Sequence, residues 1–266
     1  MRSQTSNPTD LDRCRTDSSR KNSSARMLKD TAMTMLCSRV GQGIRILTRA
    51  FHIVPAIVFG LLAPMTAVAE NSLSVYGGLQ SASPGNVSGV DDLGAPFDFG
   101  ADWLGKSLAM PPYYGIRATH WPADSDWGFA IEFTHTKVYA SDATRANSGF
   151  EILEFTDGLN ILTLNAIRRF DELGPLRPYA GAGFGLSLPH VEVQTRVGGP
   201  VTFEYQIGGP AARAIVGVEY DLNENWSVFS EINATYSTNE VTLNGGGTLS
   251  TNVFTQALNL GASFRF

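Results

Sequence analysis

Apolar and polar residues alternate with a period of two through the last ten residues, ALNLGASFRF (257–266). Leu258, Leu260 and Phe264 share one face, and the other face carries small or polar residues. This pattern predicts a β-strand with a single apolar face, and the strand ends on the aromatic Phe266. The apolar face requires either a covering layer of protein or contact with membrane lipid.

Seven further segments show the same kind of pattern, which gives eight predicted strands. They span 72–83, 109–121, 127–139, 153–169, 177–193, 210–222, 226–241 and 251–266. The connections between these strands alternate between short turns and long loops. The long loops are 84–108, 140–152, 194–209 and 242–250.

Short turns at one end and long loops at the other are typical of bacterial outer-membrane barrels, whose termini are both periplasmic. The sequence therefore predicts an all-β fold, an eight-stranded antiparallel transmembrane β-barrel of the outer membrane. An aromatic-terminated last strand is the kind that outer-membrane assembly machinery recognises, so we expect that machinery as a partner. The alternative is a soluble β-sandwich or lipocalin-like barrel. Strand faces such as that of 226–236, apolar with an aromatic end, favour lipid.

The first 69 residues differ from the rest of the chain. Up to residue 50 they are rich in Ser, Thr, Arg and Lys without an apolar period, which predicts a disordered extension. An apolar run, 51–65, and an A-x-A site then match a secretory signal peptide cleaved near Ala69/Glu70. The alternative is a retained membrane anchor, which two prolines in the run disfavour.

Setting aside 1–69 leaves one predicted domain, the barrel of 70–266. Ten of the 20 basic residues but only four of the 25 acidic ones lie in the excluded segment, so the domain has a net charge of −11. This charge argues against nucleic-acid binding through phosphate contacts. Both cysteines, Cys14 and Cys37, also lie in the excluded segment, which leaves the domain without thiol chemistry.

Successive side chains of a β-strand point to opposite faces, and this alternation predicts that several charged residues point into the barrel. They are Arg117, Glu132, Arg213, Glu219, Glu231 and Arg265. Because eight strands enclose little more than their own side chains, we interpret these residues as a structural salt-bridge network, not as a channel or a catalytic centre. Gly181, Gly183 and Gly185 are predicted to face inward and to leave space for larger neighbours.

Polar side chains approach the loop end of three successive predicted strands, in EFTHTKVY (132–139), LEFTDGLN (153–160) and PHVEV (189–193). We expect four of them to converge: His135, Asp157, His190 and Glu192. Two imidazoles with carboxylates suit a divalent or redox metal. The alternative, in which His135 and Lys137 only anchor the barrel at the membrane interface, remains open.

Other catalytic chemistries lack their motifs. The mature chain has no G-x-S-x-G elbow, and the His-x-Ser pair of outer-membrane lipid A 3-O-deacylases is missing because Thr136 and Lys137 follow His135. No glycine-rich strand–helix junction is present, so neither a flavin nor a nucleotide is expected.

Several segments together resemble the lipid A oxidase family of rhizobia and their relatives. They are MPPYYGIRATHW (110–121), WGFAIEFTHTKVY (127–139), LEFTDGLNILTLN (153–165), RPYAGAGFG (177–185), PHVEV (189–193), FEYQIGGPA (203–211) and WSVFSEINATYS (226–237). The resemblance covers most of 73–266. It implies oxidation of the proximal glucosamine of lipid A to 2-aminogluconate, with molecular oxygen as oxidant, hydrogen peroxide as by-product and a divalent metal as cofactor.

That chemistry needs a base and groups that hold the lipid. His135 or His190 would act as base or metal ligand, with Asp157 and Glu192 as ligands or orienting groups. Residues expected to contact lipid A or lipopolysaccharide are Arg145, Arg196 and Lys137. The alternative function is a non-enzymatic barrel that stabilises the outer membrane through lipopolysaccharide contacts.

Overall fold

The computed structural model describes residues 69–196 and 199–266, so the predicted extension and signal peptide lie outside the described residues. Within these ranges the chain forms strands and one short helix, α1 (Asp142–Ser148). The strands are β1 (Glu70–Ala82), β2 (Gly85–Val90), β3 (Pro96–Ala101), β4 (Trp103–Leu104), β5 (Tyr114–Trp121), β6 (Trp127–Ala140), β7 (Phe150–Arg169), β8 (Leu176–Thr195), β9 (Thr202–Tyr205), β10 (Gly209–Asp221), β11 (Trp226–Thr242) and β12 (Thr248–Arg265).

Eight of the strands close into a ring in the order β1-β5-β6-β7-β8-β10-β11-β12. Every pairing in the ring is antiparallel, and β1 pairs with β12 through contacts such as Leu73↔Phe264 and Leu79↔Leu258. The predicted eight-stranded antiparallel barrel is thereby confirmed. The short turns, together with Glu70 and Phe266, lie at one end, the turn end; the longer connections lie at the opposite loop end.

The long connections contain more structure than the sequence pattern predicts. The segment expected as a first loop, 84–108, carries β2, β3 and β4, and the β2–β3 hairpin pairs with β12 beyond the end of β1. The expected loop 194–209 carries β9, and α1 lies between β6 and β7. The strand predicted to begin at residue 109 begins at Tyr114, because Pro111 and Pro112 have no N–H to donate to a ladder.

The outward faces of the ring strands carry an exposed apolar belt. It includes Val75, Leu79, Phe129, Leu164, Phe184, Val216, Ile232, Leu258 and Leu260. Aromatic side chains border the belt at the turn end, where Phe264 lies between Trp226 and Phe266 with ring centroids 5.0 and 6.1 Å apart. An apolar band with aromatic girdles suits a lipid bilayer. No helix among the described residues is long and apolar enough to cross a membrane.

The middle of the barrel holds a buried ion-pair network. Arg117 Nε lies 3.0 Å from Glu132 Oε2, and Arg117 Nη2 lies 2.7 Å from Glu231 Oε2. Arg213 Nη2 lies 3.2 Å from Glu132 Oε1. Nearer the turn end, Glu219 lies 3.0 Å from Arg265. The structure thus places these residues inside the barrel, where each charge has an opposite partner.

Above this network, at the loop end, the interior becomes apolar. The plug, as we call this cluster, has as its main members Val87, Trp103, Val138, Phe150, Leu153, Phe155, Leu159, Ile161, Val191, Val193 and Leu249. Trp103 stacks on Phe155 with ring centroids 6.2 Å apart. Side chains of the described residues therefore fill the barrel through both its polar middle and its loop end.

A methyl group at Gly183 should destabilise the barrel, because this glycine faces inward opposite Arg213. A Cβ at position 183 would lie 2.0 Å from Asn165 Oδ1 and 2.4 Å from the Leu164 carbonyl oxygen. We expect Gly183→Ala to lower the free energy of unfolding by about 1–3 kcal/mol, as overpacking does. Urea unfolding in detergent measures this, with Gly100→Ala, whose Cβ would meet nothing within 4 Å, as the control. Equal stability of the two variants would contradict the prediction.

Candidate functional site

The two candidate histidines lie on the outward face of the barrel wall, not in its lumen. In β6, Thr134 belongs to the interior network, so its neighbour His135 points outward. In β8, Val191 lies in the plug, so His190 and Glu192 point outward beside it. The candidate site is therefore part of the outer surface near the loop end.

A bulge in β7 brings Asp157 into this surface. Glu154 pairs with Glu192 and Leu159 pairs with Pro189, so four residues of β7 face two of β8. Gly158 adopts a φ of +120°, and a Cβ there would lie 2.6 Å from His135 Nδ1. Only glycine suits this conformation and this contact. The bulge pushes the exposed Asp157 out between the two histidines.

Each histidine has a buried ring nitrogen for which the structure shows no hydrogen-bond partner. His135 Nδ1 lies 2.9 Å from Asn160 Oδ1, whereas its Nε2 is buried without a hydrogen bond. His190 Nδ1 is also buried without a hydrogen bond and lies 3.9 Å from Asp157 Oδ2. Buried polar atoms normally have partners. These two nitrogens are therefore the atoms of the site whose hydrogen-bonding capacity is left unmet.

Aromatic rings fix both imidazoles. Tyr114 stacks on His135 with ring centroids 5.1 Å apart. Phe203 and Tyr205 of β9 approach His190 edge-on, at 4.5 and 4.6 Å. The Tyr205 hydroxyl also donates a 2.7 Å hydrogen bond to the carbonyl oxygen of Asp157. Strand β9 therefore holds both the bulge and His190 in place.

The four predicted metal ligands are not assembled as a metal site. Among the described residues, no three His, Cys, Asp or Glu side chains come together closely enough to hold a metal ion. Glu192 Oε2 instead accepts a 2.6 Å hydrogen bond from the Thr156 hydroxyl, and Asn160 occupies one nitrogen of His135. What remains is a histidine–carboxylate pair next to a second histidine, which suits proton transfer.

Comparison with known proteins identifies the family. A family model described as outer membrane protein beta-barrel domain matches residues 53–266. The chain belongs to this family. As one of its members, the protein lies in the outer membrane of a Gram-negative bacterium, where the short turns of such barrels face the periplasm. The apolar belt of the barrel thus meets lipid, and the candidate site lies near the external border of the bilayer.

Comparison with solved structures finds several outer-membrane proteins similar to this chain. Neisserial surface protein A is 18% identical, with a TM-score of 0.40 over 74% of this chain and 97% of that chain. OprG from Pseudomonas aeruginosa is 12% identical, with a TM-score of 0.43 over 75% and 96%. AlkL is 18% identical, with a TM-score of 0.44 over 77% and 93%. No curated protein sequence matches the chain.

Two carboxyl groups face each other across β7 and β8, on the loop-end side of the two histidines. Glu154 pairs with Tyr139 of β6. Tyr139 is four residues past His135, which places it ~13 Å further along β6 towards the loop end. Glu192 is the cross-strand partner of Glu154, so the two acidic side chains lie at the same level on neighbouring strands. The external side of the site is therefore acidic.

The three residues expected to bind lipid lie in different surroundings. Lys137 is buried, and its ammonium donates a 3.3 Å hydrogen bond to the carbonyl oxygen of Ala109 instead of facing the surface. Arg145 and Arg196 lie together at the external end of β7, where Arg196 Nε donates to the Phe150 carbonyl oxygen at 3.2 Å. The two arginines thus remain near the cell exterior, whereas Lys137 is covered.

Three residues of the site were missed by sequence reasoning: Asn160, Gly158 and Tyr205. Asn160 is the register partner of His135 and would follow from a correct strand pairing. The Asp-Gly dipeptide at 157–158 is a recognisable bulge signal inside a strand pattern. Nothing in the local sequence links Tyr205 to Asp157, because their contact depends on the pairing of β9 with β8.

Proposed function

We propose that this outer-membrane barrel is a lipid A-modifying enzyme that oxidises the proximal glucosamine of lipid A to 2-aminogluconate, using molecular oxygen. One observation carries the proposal. The unpartnered nitrogens of His135 and His190 flank Asp157 on the membrane-facing wall, where lipid headgroups lie. The resemblance of the strand segments to lipid A oxidases supports the choice of reaction.

The reaction balances without a further oxidant. The C1 lactol of a 1-dephosphorylated lipid A gives two electrons and two protons to oxygen, which yields a lactone and hydrogen peroxide. Water then opens the lactone to 2-aminogluconate. His135 Nε2 accepts the hydroxyl proton, and Asp157 orients His190 and stabilises its protonated form. No step is assigned to the divalent metal that the resemblance implies, because its predicted ligands are not assembled.

The second candidate is a structural barrel that contacts lipopolysaccharide without chemistry. The ion pairs of Arg117 and Arg213 with Glu132, and the plug above them, fill the barrel with side chains and favour a rigid scaffold. Acidic groups near the external border, including Glu154 and Glu192, would then associate with cations that bridge lipid phosphates.

Mass spectrometry of lipid A from cells with and without the gene separates the two functions. The oxidase adds one oxygen atom to a 1-dephosphorylated lipid A, and only in cells grown with air. A lipid A of unchanged mass in aerated cells that hold the folded protein would contradict the oxidase and favour the structural barrel.

Tyr205→Phe should reduce oxidation about tenfold, since loss of one hydrogen bond of about 1.4 kcal/mol corresponds to this factor. The variant keeps the ring against His190 but removes the hydroxyl that holds Asp157. The oxidised fraction of lipid A at equal outer-membrane protein level measures the effect. Tyr220→Phe, on the exposed belt, is the control. Unchanged oxidation in Tyr205→Phe, or an equal loss in Tyr220→Phe, would refute this role.

A further inference from the structure

A cleft lies between β3 and α1 at the loop end, apart from the two histidines. Strand β6 ends at Ala140, five residues and ~17 Å beyond His135, and α1 follows it in the chain. Because the turns of such barrels face the periplasm, this end faces the cell exterior. The cleft has a volume of about 170 Å³, and its lining includes Phe99, Gly100, Asp102, Thr144, Asn147 and Ser148.

Backbone hydrogen bonds hold the two sides of the cleft together. The Ser141 N–H donates to the Asp102 carbonyl oxygen at 2.9 Å, and the Asp102 N–H donates to the Thr144 hydroxyl at 3.0 Å. The Thr144 N–H in turn donates to the Ser141 hydroxyl at 3.1 Å. The cleft is therefore preformed, and a ligand need not order it on binding.

Strand β3 presents free backbone groups to the cleft. The N–H and carbonyl oxygen of Asp102 bond to Thr144 and Ser141 and not to β2. Every second residue of a paired strand directs its backbone groups to the same side. Gly100 therefore directs its N–H and carbonyl oxygen towards α1, on the edge of β3 where no strand of the described part of the chain pairs with it.

The side chains of the cleft offer both hydrogen-bond donors and acceptors beside an aromatic ring. The Ser148 hydroxyl is buried without a hydrogen-bond partner, and the side chains of Asp102 and Asn147 are exposed. The half-buried ring of Phe99 is held by Phe150, with ring centroids 5.7 Å apart. A sugar ring has hydroxyls that both donate and accept, and an apolar face that packs on an aromatic ring.

Charge and size narrow the class of ligand. The charged side chain in the lining is Asp102, and Asp98 on β3 and Asp142 on α1 are exposed acids close by. These carboxylates oppose an anionic ligand. Drug-sized ligands occupy pockets of roughly 300–1,000 Å³, so a cleft of about 170 Å³ suits a single sugar ring.

We propose that this cleft binds one neutral hexose residue of a cell-surface glycan. The sugar hydroxyls bond to Gly100, Asp102, Asn147 and Ser148, and its apolar face lies against Phe99. This binding does not depend on the proposed oxidation, because the cleft shares no residue with the site of the two histidines.

Saturation-transfer NMR on the purified full-length protein, in a detergent without sugar, tests this with methyl glycosides of glucose, galactose and mannose. At least one should bind with a dissociation constant on the order of 1 mM, as expected for a ligand of this size. Methyl glucuronide, which is anionic, should bind at least tenfold more weakly. Asn147→Ala and Asp102→Asn should each weaken binding about tenfold.

Gly100→Val provides a variant that fills the cleft without crowding the fold, because a Cβ at Gly100 would meet no atom within 4 Å. It should abolish binding. Asp142→Asn is the matched control for Asp102→Asn, since it removes an exposed acid of α1 that does not line the cleft. His135→Ala should bind the sugar as the wild type does, which separates this inference from the proposed function.

The source of the sugar is tested with two further probes: the delipidated polysaccharide of the same cells and an array of glycans from other cells. Binding of either, lost in Gly100→Val, supports the site and assigns its source. Absence of binding by all three neutral glycosides, equal binding of methyl glucuronide, or an equal loss in Asp142→Asn would overturn the inference.

Discussion

Glu132→Ala should leave the barrel unfolded in detergent under conditions that keep the wild type folded. Glu132 pairs with both Arg117 and Arg213, and it accepts hydrogen bonds from Tyr76 and Asn165. Removing its carboxylate leaves two buried guanidinium groups short of negative charge. Breaking a buried pair in this way costs about 3–5 kcal/mol, a large part of the stability of most proteins.

Heat-modifiable gel mobility and urea unfolding in detergent both report this loss. Glu231→Ala should behave in the same direction, because it leaves Arg117 with one carboxylate. Asp142→Ala is the control: its carboxylate is exposed and pairs with Arg145 at the surface, where an ion pair contributes at most about 1 kcal/mol. Wild-type stability of Glu132→Ala would contradict the structural role of the network.

His135→Ala and His190→Ala should each abolish detectable lipid A oxidation while the barrel stays folded. Each imidazole lies on the outward wall with a buried ring nitrogen that has no hydrogen-bond partner, and neither belongs to the interior network. Loss of a general base typically slows a reaction about 10²–10⁴-fold. The oxidised fraction of lipid A, at equal outer-membrane protein level, measures the loss.

His120→Ala is the matched control, since His120 lies at the turn end and bonds to Asn71, far along the barrel from the site. Full oxidation in both His135→Ala and His190→Ala would refute the site on the outer wall. Inhibition by a chelator, reversed by a divalent metal, would instead assign the two histidines as metal ligands, as the sequence predicted.

Much of the barrel follows from periodicity alone. Alternation along 257–266 predicted a strand with one lipid-suited face, and Leu258 and Leu260 are exposed on the belt. The same alternation predicts that residues such as Arg117 point inward. The buried ion pairs of Arg117 with Glu132 and Glu231 agree with this prediction. Period-two patterns are reliable here because each residue on a ring strand faces either lipid or a crowded interior.

The details of the candidate site depend on pairings between distant segments, which periodicity does not encode. The alternation breaks only within the bulge before Leu159, so the strand pattern alone would point Asp157 inward, whereas the structure exposes it. The four residues of β9 are too few to show a period, so the sequence predicts a loop there, yet this strand supplies Tyr205. The segment before β5 covers Lys137, a contact that no local pattern indicates.

Oxygen consumption by the purified barrel with 1-dephosphorylated lipid A tests the central claim most directly. The proposed oxidase should convert the lipid to a product one oxygen atom heavier and release one hydrogen peroxide for each lipid oxidised, in air only. The His135→Ala and His190→Ala proteins should release none, whereas His120→Ala should match the wild type. A folded wild-type protein that leaves both the lipid mass and the peroxide level unchanged in air would contradict the account.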